Sequence, residues 1–197
     1  MSLTAKNTGG DFELAPIGAH VGRCISVVDL GTQHGEYEGR PNVNKKVWIL
    51  WELPNEKMKD GRPFGVSAFY TLSLGEKANL RRDLESWRGR AFTEAELAGF
   101  NLMNVLDKTC MISVIHTEKG RSKVNGVMAV PKGMVCPARI NDLLSFDVDA
   151  WDQSAFDKVP EGIRAIIMKS DEYLEKLARG TPNIQEGCAP EDSEIPF

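Results

Sequence analysis

The run Lys45-Lys46-Val47-Trp48 puts cations and a flat apolar ring within a few residues of chain. A single polynucleotide strand calls for that pairing, because its phosphates need cations and its bases need planar faces on which to stack. Arg23, Arg40 and Arg62 supply further cations in the same region, and Lys119, Arg121 and Lys123 crowd around one turn. Trp48 carries the most weight. Lys46 and Glu52 share its strand face, so that face is expected to look to solvent; the alternative is that Trp48 lies under a C-terminal helix. Phe69 is the second stacking candidate, since Ser67, Phe69 and Thr71 read wetter than Val66, Ala68 and Tyr70. Tyr37, between Gly35 and Gly39, either closes over a bound strand or is an ordinary loop aromatic. A charged turn such as Lys119–Lys123 is commonly just solvated, so it supports the reading without carrying it.

A second signal is Glu191-Asp192-Ser193-Glu194-Ile195-Pro196-Phe197. It holds too little apolar surface to offset the entropy of ordering itself. Its acids suit a basic surface, Ile195 and Phe197 an apolar pocket, and a terminal carboxylate a cation. It therefore reads as a partner-binding segment, the alternative being a frayed acidic terminus.

Enzymatic constellations are thin. No phosphate-cradling glycine loop, Gly-x-Ser-x-Gly or His-Glu-x-x-His occurs, and His20, His34 and His116 have no carboxylate at motif spacing. The expectation is a non-enzymatic chain with no cofactor and no metal. Cys24, Cys110, Cys136 and Cys188 are widely separated, which argues against a zinc site or a disulfide framework and for a reducing cytoplasm.

The chain has 197 residues, 42% hydrophobic and 26% charged, with a formal net charge of −4. That allows one good-sized core with an appendage. No apolar run reaches the roughly 18–20 residues of a membrane helix, and a secretory signal is not expected. The charge is unevenly spread. Residues 1–140 carry 19 Lys/Arg against 15 Asp/Glu, residues 141–179 carry 5 against 9, and residues 180–197 carry none against 4. A mildly basic body with an acidic C-terminal third suits a polyanion binder.

Patterning supplies the elements that would hold these residues. His20–Leu30 is rich in β-branched residues and reads as a first strand, followed by a long polar loop from Thr32 to Lys45. Val47–Leu53 alternates as a second strand, with Val47, Ile49, Trp51 and Leu53 on the core face. Asp60-Gly61-Arg62-Pro63 turns into a third, Phe64–Leu72. Ala78, Leu80, Leu84 and Trp87 then fall at helical spacing, and Thr93-x-x-Glu96 is a capping box for a second short helix. Strands return at Cys110–Thr117 and Ser122–Val130. After an acidic irregular stretch, Pro160-Glu161 opens a helix with Ile163, Ile166, Ile167, Leu174 and Leu177 along one stripe. From Gly180 onward no fixed structure is expected.

Three strands, a helical interlude and two strands is the element order of an OB-fold. The fold class expected is therefore mainly β with added helices: a five-stranded OB-fold barrel, a helical insert between strands three and four, and a C-terminal helical extension. The expected boundaries are 15–135 for the nucleic-acid-binding domain, 136–179 for an acidic linker and helix, and 180–197 for the acidic tail.

Two resemblances follow. The segment from Glu191 to Phe197 resembles the C-terminal tip of bacterial-type single-stranded-DNA-binding proteins, an acidic run ending in Ile/Leu-Pro-Phe, although Ser193 interrupts the acids here. Pro131-Lys132-Gly133-Met134, Val159-Pro160-Glu161-Gly162-Ile163 and Lys169-Ser170-Asp171-Glu172-Tyr173 are similar to phage-encoded single-stranded-DNA-binding proteins of OB type, over roughly residues 15–178. The resemblance implies a bacteriophage protein of DNA replication or recombination, acting in the host cytoplasm. Its partners would be single-stranded DNA through the barrel, and replication, repair or recombination proteins through Glu191, Asp192, Glu194, Ile195, Pro196 and Phe197. An RNA-binding module, an adaptor that binds no nucleic acid and a nuclease remain as alternatives, and a homodimer through the Ile163/Ile167/Leu174 stripe is open.

Overall fold

The computed structural model describes residues 13–180, and the tail residues 181–197 lie outside it. The architecture is mainly β: a six-stranded, mostly antiparallel open sheet with a few helices. Strands β1 (Gly18–Tyr37), β2 (Arg40–Lys57), β3 (Pro63–Thr71), β4 (Thr109–His116) and β5 (Ser122–Met128) are ordered β3-β2-β1-β4-β5. The sixth strand, β6 (Leu144–Phe146), lies in the acidic stretch expected to be irregular; it joins β1 in parallel, opposite Ser26, Val27 and Val28. No backbone ladder joins the edge strands β3 and β5.

The largest departure from expectation lies between Thr32 and Lys45. Instead of a loop, β1 runs on to Tyr37 and β2 starts at Arg40, so Gly31–Lys46 forms a two-stranded arm. Glu38 and Gly39 make its turn with φ of 51° and 75°, the left-handed pair that lets a two-residue loop match strand twist. Polar strands paired only with each other have no apolar alternation to reveal them.

β2 alternates as expected on its inner face. Val47, Ile49, Trp51 and Leu53 enter a core with Val27, Tyr70, Ile112 and Val127. The helical insert between β3 and β4 caps this core: α1 (Asn79–Arg88), α2 (Glu94–Ala98) and a 3-10 turn at Leu102–Val105. Trp51 and Trp87 meet there with ring centroids 5.9 Å apart, and Trp87 Nε1 donates to the Thr109 carbonyl at 2.7 Å. The Thr93–Glu96 capping box forms as its spacing predicts.

The outer face of β1 and β2 does not look to water. Val28, Leu30 and Trp48 build a second core with Phe146 and two C-terminal helices, α3 (Gln153–Lys158) and α4 (Glu161–Ile167), while a third, α5 (Asp171–Gly180), sets Tyr173 against Trp151 and Phe156. The single expected helix is thus two, broken at Ser170. Its buried hydroxyl donates to the Ile167 carbonyl at 2.7 Å and accepts from the Tyr173 N–H at 3.3 Å, capping α5. Ile163 and Ile167 are buried, whereas Leu174 and Leu177 remain exposed.

Two polar contacts tie this extension down. Glu52, wholly buried on β2, accepts from the Ile140 and Asn141 N–H groups, each at 2.8 Å, and fixes the strap leading to β6. Glu172 accepts from the Thr32 N–H at 2.7 Å and the Thr32 hydroxyl at 2.8 Å, joining α5 to the base of the arm. Gly31 permits that approach. It has φ +69°, and a Cβ there would lie 2.6 Å from both Ser170 Cβ and Glu172 Oε2. Among the described residues, no helix is long and apolar enough to cross a membrane.

Candidate nucleic-acid interface

The two unladdered edges, β3 and β5, frame a groove of about 570 Å³ with the start of α1 at its end. Three features give it chemistry. Phe69 lines it from β3 with 53% of its surface exposed. Lys123 from β5 and Arg82 from α1 line it and place cations on both sides. Ser67, Asn79 and Asn125 add neutral hydrogen-bonding groups.

The groove floor is ordered by a short polar relay. The Tyr70 hydroxyl donates to Asp83 Oδ2 at 2.9 Å, and Arg82 Nε donates to Asp83 Oδ1 at 3.2 Å. Burial, followed by the Asp83 charge, pushes the Tyr70 hydroxyl well above its ordinary range, so it remains a donor. Asp83 thereby holds the Arg82 guanidinium at the groove. The Arg82 side chain is still 66% exposed and can meet a phosphate.

Sequence-level candidates divide sharply. Phe69 and Lys123 come together in the groove. Lys119 and Arg121 are exposed on the adjoining β4–β5 turn, and Arg40 is exposed at the end of the arm. Lys46 is half-buried at the arm's base. None of these five cations forms an ion pair with a described residue. Tyr37 pairs with Arg40 at the end of the arm; its side chain lies outside what the structure describes. The tail candidates Glu191, Asp192, Glu194, Ile195, Pro196 and Phe197 also lie outside the described residues.

Four candidates stand elsewhere. Trp48 is only 5% exposed, and the C-terminal helices cover the face on which a base would stack, so it is a core residue and not a platform. Lys45 is held by Asp149 at 2.5 Å and Asp29 at 3.2 Å. Burial works against its charge, yet these two carboxylates outweigh burial and keep the ammonium above its ordinary value. Arg23 clamps the loop before β4: its Nη1 donates to the Asp107 carbonyl at 2.9 Å and to Asp107 Oδ1 at 3.1 Å. Arg62 pairs with Asp60 at 2.7 Å, although its side chain stays 74% exposed.

Carboxylate oxygens of Asp29, Asp147 and Asp149 lie within 4.8 Å of one another, a spacing that a cation could use. The Lys45 ammonium already bonds two of the three, so the cluster is satisfied as an ion-pair network. The described thiols serve as packing groups. Cys24 and Cys110 are buried, and burial pushes Cys24 up to about 12.

Sequence reasoning missed Arg82 as a groove residue because its helical position marks only an outward face. Which strand that face meets depends on where α1 packs. Comparison with family models and with curated proteins finds no match to this chain.

Proposed function

We propose that this chain binds single-stranded DNA without sequence preference, as a non-enzymatic phage protein of DNA replication or recombination. The observation that carries the proposal is Phe69: an exposed aromatic on a strand, lining a groove flanked by Lys123 and Arg82. Stacking on such a ring tolerates every base, and the cations take the phosphates. The strand order β3-β2-β1-β4-β5 with helices between β3 and β4 supports reading the sheet as an OB barrel whose last seam, β3 to β5, is left without a ladder. In that reading the arm and the β4–β5 turn are the two loops that flank the bound strand, and they bring Arg40, Lys119 and Arg121 toward it.

The acidic Ile-Pro-Phe segment, Glu191–Phe197, recruits replication, repair or recombination proteins in the host cytoplasm. Its composition supports this, pairing acids for a basic surface with apolar side chains for a pocket.

An electrophoretic shift with single-stranded against double-stranded DNA of equal length tests the proposal. Retardation of the single strand alone is expected; equal retardation of both, or of neither, contradicts it. Competition between oligo-dT and oligo-U then separates DNA from RNA binding.

A further inference from the structure

β3 has a groove on each flank. Beyond Phe69, on the side away from β5, a second groove of about 560 Å³ opens between β3 with its β2 neighbour and the C-terminal extension. Its floor is apolar, with Leu50 from β2, Pro63 at the start of β3, and Leu143 and Leu144 from the strap. Arg62 and Lys158 line it; Lys158 closes α3 and is exposed.

Only small residues separate the two grooves along β3: Ser67 lines the first and Gly65 the second. Phe69, Ser67 and Gly65 succeed one another on the outer face of β3, because alternate residues of a strand share a face. Gly65 is exposed and has no side chain, and a Cβ there would lie 3.3 Å from Leu50 Cδ1, so the glycine lets the Leu50 side chain of the second groove lie close against β3. A strand stacked on Phe69 therefore meets only the small residues Ser67 and Gly65 before it reaches Leu50 and the apolar floor.

We infer that the bound single strand continues past Ser67 and Gly65 into the second groove, where a base rests on the Leu50/Leu143 floor and Lys158 takes a phosphate. The C-terminal extension is then part of the binding surface as well as the cover of Trp48. Glu52 is its positioning residue, since its bonds to the Ile140 and Asn141 N–H groups hold the strap that forms the groove's wall. Asp60 and Asp142 also stand near this groove, so the apolar floor supplies much of the attraction and the cations set the strand's direction. The inference rests on the single-strand reading of the first groove, and it predicts a footprint longer than that groove can hold. Site sizes of about 4–16 nucleotides per OB domain leave room for such an extension.

The test uses the full chain and two oligo-dT lengths, about 6 and about 20 nucleotides, chosen to fill the first groove alone or to span both. Lys158→Glu should weaken binding of the longer oligonucleotide about five- to tenfold and leave the shorter one unchanged, while Lys123→Glu weakens both. If Lys158→Glu leaves both lengths unchanged, or weakens both equally, while Lys123→Glu weakens both, the second groove carries no strand and the first-groove reading stands. If the unaltered chain binds neither length, the single-strand reading itself fails.

Discussion

Trp48 and Phe69 are direct partners across the β2–β3 ladder, on the same face of the sheet, yet one is 5% exposed and the other 53%. The edge of the C-terminal cover falls between them. Phe146 and helices α3 and α4 cover Val28, Leu30 and Trp48 on β1 and β2, and they leave Phe69 on β3 open, so one member of the aromatic pair is core and the other is exposed.

Trp48→Ala is therefore a stability variant. Removing a large aromatic from a buried cluster costs about 3–5 kcal/mol. The urea midpoint should fall by a corresponding amount, while oligo-dT affinity under folding conditions stays near that of the unaltered chain. A variant of unchanged stability with lost binding would return Trp48 to the interface.

The arm depends on its seat against α5. Gly31→Ala adds a Cβ at a left-handed position and drives it into Ser170 and Glu172. Faster hydrogen exchange of α5 and of the Thr32 amide is expected, with the inner core around Trp51 still protected. Unchanged exchange at Thr32 would show that the seat does not need the glycine.

Acid should loosen the same joint. Burial raises Glu172, but the hydrogen bonds from Thr32 outweigh it and set its pKa below the ordinary glutamate value of 4.5. A folded-state pKa that is depressed gives stability that is present above the unfolded value and lost as pH falls through the folded one. Thr32 amide protection should therefore drop as pH falls below 4.5, and Glu172→Gln should flatten that dependence. An equally steep dependence in Glu172→Gln would place the titrating group elsewhere.

The inner half of the fold was legible in the sequence, because apolar alternation in β2 and helical spacing in α1 both report burial directly. The outer half was not. Lys46 and Glu52 marked the Trp48 face as wet, but Glu52 enters the interior with its hydrogen-bond demand met by Ile140 and Asn141, some 90 residues away. No local pattern announces such a partner. The break at Ser170 had a readable signal, a serine ahead of Asp171 and Glu172, which the continuous apolar stripe obscured. At the site, Phe69 and Lys123 could be read from alternation and charge. Their meeting required the β3–β5 seam, a relationship between strands 50 residues apart in the chain.

Salt should report the phosphate contacts. For single strands, log K falls against log salt with a slope of about −0.7 per neutralised phosphate. Lys123→Glu should make that slope shallower by at least about one contact. An affinity indifferent to salt would be inconsistent with cations on both sides of the groove meeting phosphates.

The most direct measurement is a fluorescence anisotropy titration of labelled oligo-dT with the unaltered chain and with Phe69→Ala. Phe69 is exposed, so its removal leaves the fold intact. The loss of one base stack costs about 1–3 kcal/mol, a weakening of about 5- to 150-fold. That loss, at unchanged thermal stability, is the predicted result. Equal affinity in the two proteins would contradict the claim that the strand binds along β3.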